Sequence, residues 1–204
     1  LDDDLIFKRR NQRRFGKPSD MEKSSRICTD EDVEEMFNLF DSWLDEKDVS
    51  FCGCSHIENI PLTKFYSSNS SLGSGVWING KDFNHILDDL PTTLVKYSED
   101  TLFFLSLLSR GYGNRVSQMF CFGNESLKGK IPSDVWDNST FKEVWKDHKI
   151  IENMFPQFYK IVLDEIGKRL KGGFRNYGKV RVSWSKCYKS SQTNFPKNIL
   201  NHNE

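Results

Sequence analysis

Residues 99–122 read EDTLFFLSLLSRGYGNRVSQMFCF, and this stretch decides the fold class because its two halves demand different secondary structure. The first half predicts a helix from Glu99 to Arg110, with Ser98 as its cap and Gly111 as its stop. The core of that helix, LFFLSLL, is apolar nearly all round, which predicts burial on every side. Val116 to Phe122 then predicts a strand. A buried helix running into a strand, with further helices on either side, points to an α+β protein.

Working toward the N-terminus, the next firm element is a helix from Asp30 to Glu46. Thr29 is placed to cap it, and Asp30, Glu31 and Asp32 favour the positive end of its dipole. Val33, Met36, Phe37, Phe40 and Leu44 recur on one face at helical spacing. Phe51 to Tyr66 reads as extended and irregular, and Ser67 to Gly75 as a Ser/Gly loop. Val76-Trp77-Ile78 followed by Asn79-Gly80 is a hairpin signal, since Asn-Gly tolerates the positive φ of tight turns. Toward the C-terminus, Thr140 and Glu143 have capping-box spacing before a helix reaching Ile151. Pro156 suits the first turn of a further helix burying Phe158, Tyr159, Val162, Ile166 and Leu170, with Gly172-Gly173 ending it. Lys179 to Lys186 alternates, with Val180, Val182 and Trp184 on one side and Arg181 and Ser183 on the other. The expectation is a single α+β domain, a mixed or largely antiparallel sheet packed against several helices. Residues 1–19 are expected as a basic arm or linker, 20–190 as the domain, and 191–204 as a polar, disordered tail. No internal repeat is evident.

The 204 residues carry 29 basic and 29 acidic side chains, so the chain is formally neutral. That neutrality conceals a segregation. Residues 18–165 hold 25 acidic and 14 basic side chains, a net of −11. Between Ile166 and Asn203 there are nine Lys or Arg and no acid. A second cationic run, KRRNQRRFGK, occupies residues 8–17 and reads as a solvated tether or a phosphate contact. The chain has no alanine, while Phe, Asn, Lys and Ile are abundant; this is the signature of AT-rich codons, as in an AT-rich virus or parasite. A start at Leu1 fits a mature product or a piece of something longer. No signal peptide and no apolar run of membrane-spanning length are visible. Five scattered cysteines, Cys28, Cys52, Cys54, Cys121 and Cys187, predict reduced thiols in a cytoplasmic setting.

The basic C-terminal segment is the strongest functional candidate. Clustered cations attract phosphates and displace their counterions, and aromatic rings among them offer faces on which bases stack. Arg175, Lys179, Arg181 and Lys186 are the expected phosphate contacts and Tyr177 the expected stacking ring. The competing reading makes Trp184, Val180 and Val182 core and the cations a solvated face. Cys52, Cys54 and His56 offer three metal ligands, but paired zinc cysteines are usually separated by two or more residues and no second pair exists, so idle or buried thiols are expected and no metal. Pro132-Ser133-Asp134 with Glu143 and Lys146 is a loose version of a metal-nuclease set; Glu143 is better explained by capping. Gly73-Ser74-Gly75 lacks the Lys-Ser/Thr of a phosphate loop. His85 and His148 have no evident nucleophile beside them. No cofactor is expected.

The stretch SGVWINGKDF, Ser74 to Phe83, and the texture of residues 70–190 resemble the C-terminal region of the L protein, the polymerase of arenaviruses and related segmented negative-strand RNA viruses. The resemblance implies a cap-binding-like fold in a polymerase that takes capped primers from host RNA, acting in the host cytoplasm and virion with the rest of the polymerase as partner. A cap site needs two rings to sandwich the methylguanine and a carboxylate for its base edge. Trp77, Phe83, Tyr97, Tyr112, Phe120 and Phe122 are the available rings, with Asp82, Asp88 and Asp89 as acids. The expected function is a non-catalytic module binding RNA or capped RNA in support of cap-dependent transcription, with no membrane partner. The alternatives are a protein-interaction domain docking a host or polymerase partner and, third, a metal-dependent nuclease.

Overall fold

The computed structural model describes residues 5–10, 25–56, 64–72, 75–80, 94–124, 138–163 and 179–194. Its elements, in chain order, are β1 (Leu5–Arg10), β2 (Ser25–Ile27), α1 (Asp30–Leu44), β3 (Phe51–His56), β4 (Tyr66–Ser68), β5 (Val76–Ile78), α2 (Glu99–Ser109), β6 (Asn114–Asn124), α3 (Asn138–Met154), β7 (Tyr159–Leu163), β8 (Lys179–Val182) and α4 (Trp184–Asn194). The class is α+β with a mixed, largely antiparallel sheet, as the patterning predicts. The chain forms two compact units, Leu1–Leu87 with Tyr112–Gly129, and Asp88–Gly111 with Lys130–Glu204. Among the described residues, no helix is long and apolar enough to cross a membrane.

The first unit contains the larger sheet, in the order β2-β1-β6-β3-β5, with β4 also pairing β6. All of its pairings are antiparallel except β3 with β6. The expected basic arm is therefore partly sheet: Leu5–Arg10 lies between β2 and β6, with Phe7 opposite Phe122 and Arg9 opposite Phe120. Leu5, Ile6 and Phe7 supply the apolar start that a strand needs, and Arg9 among the cations that follow pairs with Asp32 and Glu35. Residues 11–19 lie outside the described residues.

Helix α1 starts where its chemistry dictates. Thr29 caps it, and Asp32 completes a capping box by accepting from the Thr29 N–H at 2.8 Å. Met36, Phe40 and Trp43 are buried at helical spacing and pack on Cys52 and Cys54 of β3 and on Phe120 and Phe122 of β6. The expected stripe is rotated by about one position. Trp43 is in the core, whereas Phe37 is exposed and touches the edge of the Trp77 ring, with centroids 5.5 Å apart. Each fully buried ring of this cluster contributes roughly 1.5–3 kcal/mol of transfer free energy.

Asn79-Gly80 does not take the tight-turn geometry expected of it. Val76–Ile78 is a strand, but its partner is the preceding β3, with Phe51 opposite Ile78 and Cys52 opposite Trp77. Neither Asn79 nor Gly80 takes a positive φ. Asn79 instead donates its side-chain amide to the Leu44 carbonyl at 3.2 Å, meeting an open acceptor at the end of α1. Gly53 makes the β3–β5 approach possible: a Cβ there would lie 2.5 Å from the Gly75 carbonyl oxygen.

In the second unit α2 packs on α4, and α3 packs on β7, which pairs with β8. The α2 expectation holds: Leu102 and Phe104 to Leu108 are buried, and Gly111 ends the helix at φ +92°. Ser98 makes no side-chain cap; only its backbone carbonyl accepts, from Leu102 N–H at 3.1 Å. Other expectations are corrected. Helix α3 begins at Asn138, so Thr140 lies inside it and is not its cap, and Glu143 accepts from Lys146 at 2.6 Å instead. Pro156 opens a turn and not a helix; the chain then enters β7, where β-branched Ile161 and Val162 favour a pleated ladder with β8. Trp184 does not continue β8 but starts α4, because the Ser183 carbonyl accepts from Cys187 N–H at 3.0 Å to close the first turn. The polar run after Ser190 continues that helix to Asn194 with Ser191 buried, so only residues 195–204 of the expected tail lie outside the description.

Candidate nucleic-acid interface

Strand alternation sorts the side chains of the β7–β8 ribbon. Tyr159 is fully buried and its phenol is hydrogen-bonded to His148 Nδ1 of α3 at 2.6 Å. The Ile161 N–H donates to Glu152 Oε1 of α3 at 3.0 Å. Burial pushes the Tyr159 phenol well above its ordinary range, assisted by the nearby carboxylates of Glu152 and Asp147. Asp147 is itself buried and accepts from the backbone N–H groups of Lys96 at 3.0 Å and Tyr97 at 2.6 Å. His148 is thus held in place by Tyr159.

The neighbouring residue Lys160 points the opposite way and is exposed. In register across the ribbon stands Arg181, also exposed. Two like charges directly opposite on an antiparallel pair repel. Helix α4, which follows β8, adds exposed Lys186 and Lys189 one turn apart. Neither β7 nor the run from Lys179 to Asn194 contains an acid.

Five of the other described cations are paired with acids. Arg9 pairs with Asp32 and Glu35, Arg26 with Asp32, and Arg115 with Glu46 at 2.7 Å. Lys146 pairs with Glu143, and Lys149 with Glu152. Lys160, Arg181, Lys186 and Lys189 form no ion pair with any described acid. Lys8, Arg10, Lys47 and Lys142 also form no ion pair with a described acid, so what distinguishes this segment is a run of exposed cations with no acid among them.

Of the residues singled out from sequence, Arg181 and Lys186 are both exposed, one on the ribbon and one on α4. Lys179 is the first residue of β8, opposite Leu163. Arg175 and Tyr177 lie outside the described residues. Lys160 was missed because it sits within the acidic part of the chain and within a segment patterned like a helix. The signal that finds it is the period-two order Tyr159, Lys160, Ile161.

The aromatic supply for a cap sandwich is largely committed elsewhere. Phe120 and Phe122 are fully buried, and the Trp77 ring packs 4.7 Å from Phe40 and 6.2 Å from Phe7. Tyr97 and Tyr112 are half-buried; Phe83, Asp82, Asp88 and Asp89 lie outside the described residues. The thiols of Cys52 and Cys54 face the core, against the Phe40 carbonyl at 3.8 Å and Met36 Sδ at 3.7 Å. Burial pushes Cys52 up to about 12 and Cys54 well above the ordinary thiol value, opposite to what a metal ligand needs. Among the described residues no three His, Cys, Asp or Glu side chains are grouped to hold a metal ion. Pro132 to Asp134 and His85 lie outside the described residues. No protein-family model, curated protein or solved structure matches the chain.

Proposed function

We propose that the protein is a non-catalytic RNA-binding module of a viral RNA polymerase, gripping the RNA backbone through β7, β8 and α4. The observation that carries this reading is a run of exposed cations on β7, β8 and α4 with no acid among them. Lys160, Arg181, Lys186 and Lys189 stand exposed and form no ion pair with a described acid. Exposed cations on a ribbon and the helix that follows it are suited to phosphates, whose counterions they displace. The polymerase part of the reading is supported by the resemblance at Ser74 to Phe83 and by the alanine-free composition. Because the Phe120, Phe122 and Trp77 rings are packed in the core, affinity is assigned to the backbone of the RNA and not to a cap.

Fluorescence-anisotropy titration with capped and uncapped short RNA at low and moderate salt tests the reading. Equal affinity for both, falling steeply with salt, is the expected result. Preference for the capped RNA, competed by free cap analogue, would move the site to an aromatic pocket. No binding at low salt would remove RNA as the ligand.

A second reading is favoured by a separate observation in the first unit. Phe65 is 65% exposed and Tyr66 41% exposed, side by side at the start of β4, with the Arg115 guanidinium 4.9 Å above the Tyr66 ring. Two adjacent exposed rings suit a protein partner. Phe65→Ser abolishing co-purification with other polymerase segments, with RNA binding intact, would establish it.

A further inference from the structure

We infer that Lys160 and Arg181 act as one clamp on a single backbone phosphate, so that the ribbon recognises the phosphodiester and not the base. The inference rests on the RNA-binding reading above and adds to it a ligand group, a new contact residue and a mode of contact. Lys160 and Arg181 are directly opposite in the β7–β8 register. Opposite residues on an antiparallel pair hold their Cβ atoms about 4.5–5.5 Å apart, which brings the ends of both side chains within reach of one tetrahedral anion. The pairing costs stability while the site is empty and is relieved by a shared anion, so its ligand carries negative charge between the two side chains. The two chemistries are complementary: the guanidinium presents a planar fork to two phosphate oxygens, and the ammonium adds a compact charge.

Among the described residues of the ribbon, no base-reading group stands on the Lys160 face. Tyr159 is turned beneath the ribbon onto His148 and is fully buried. Ile161, on the Tyr159 side of the strand, is half-buried. On the Lys160 side the next residue along β7 is Val162, exposed and without a hydrogen-bonding group or a stacking ring. Contacts to phosphate position a nucleic acid and carry no sequence information directly.

The test is a double-mutant cycle with Lys160→Gln, Arg181→Gln and the double variant, titrated with fluorescent oligouridylate and oligoadenylate. A shared phosphate predicts strong non-additivity: each single change weakens binding on the order of tenfold, and the double change costs little more than either. Affinity for the two homopolymers should be equal. Additive losses would overturn the clamp while leaving an RNA-binding face, because the two side chains would then hold separate phosphates. A marked preference between the homopolymers that is lost in the variants would overturn the claim of base-independence. Unchanged affinity in all three variants, with wild-type protein still binding, would place the RNA elsewhere. If the wild-type protein binds neither homopolymer at low salt, the RNA-binding reading itself fails, and the clamp with it. Far-UV circular dichroism of each variant separates lost contact from lost fold; Lys160→Arg, which keeps the charge, should retain most of the affinity.

Discussion

Arg9 Nη1 donates to Asp32 Oδ1 at 2.8 Å, tying strand β1 to the first turn of α1. Arg26 Nη2 donates to the same oxygen at 2.8 Å from β2. One first-turn carboxylate of α1 thereby fastens two strands of the sheet. The Arg26 guanidinium, then the Thr29 N–H, hold the Asp32 carboxyl well below the usual carboxylate range.

Asp32→Asn should lower the urea midpoint, because it removes the charge facing two guanidinium groups and weakens the cap. The pH dependence has a definite sign. A depressed folded-state value means that the contribution is complete above the ordinary carboxylate value of 3.8 and is lost as pH falls through the folded value. Urea midpoints of wild type and variant should therefore converge on acidification. A constant difference down to strongly acidic pH would show that the carboxylate charge is not what stabilises this junction.

The thiols predict loss of stability at the alkaline end. Burial pushes Cys28 and Cys121 up to about 11, and Cys52 and Cys187 up to about 12, from an ordinary value of 9.0. Groups with raised values stabilise fully below the unfolded value and lose that contribution as pH rises past it, since only the unfolded chain then ionises. Urea midpoints under reducing conditions should fall between neutral pH and pH about 10. Cys187→Val should flatten part of that fall, and a thiol reagent at neutral pH should label the native protein slowly and the urea-unfolded protein rapidly.

Two glycines give a paired test of the sheet geometry. At Gly53 an added Cβ would meet the Gly75 carbonyl oxygen at 2.5 Å and Leu72 Cδ2 at 3.0 Å, and backbone cannot yield cheaply. Gly53→Ala should destabilise by about 2 kcal/mol or more. At Gly80 a Cβ would meet nothing within 4 Å, and φ there is not positive. Gly80→Ala should be neutral or stabilise by up to about 1 kcal/mol. Chemical denaturation of the two variants decides; equal effects would contradict the β3–β5 pairing.

Tyr159→Phe separates the two faces of the ribbon. Removing the phenol oxygen deletes its hydrogen bond to His148 and should cost about 1 kcal/mol. The exposed face with Lys160 and Arg181 is unchanged, so RNA affinity should match wild type at temperatures where the variant is folded. A large loss of affinity would mean that the seating of β7 on α3 controls the cations above it.

The contrast between α1 and β7 explains what was legible in advance. Helix α1 was readable because its signals are local: Thr29 and Asp32 lie three positions apart, and Met36 and Phe40 lie one turn apart. The Pro156 segment misled because Phe158, Tyr159, Val162 and Ile166 also fit a helical period, while the partner that makes β7 a strand begins at Lys179. Asn79-Gly80 misled for the same reason, since β5 pairs with a strand formed some 25 residues earlier. Within the basic segment, Arg181 and Lys186 were legible from charge alone. Lys160 was not, because its significance lies in facing Arg181.

By itself the sequence determined the α+β class, the capped helix, the buried apolar helix ending at Gly111, and the concentration of cations toward the C-terminus. Each of these follows from composition or from neighbours within about two helical turns, where side-chain chemistry and backbone geometry act directly. Tertiary structure alone decided that half of the first cationic run, Lys8 to Arg10, belongs to a sheet, that the thiols at Cys52 and Cys54 face the core, and that Lys160 meets Arg181. Those outcomes depend on which distant strands pair and in which register, and a shift of one residue would turn every side chain of β7 to the other face.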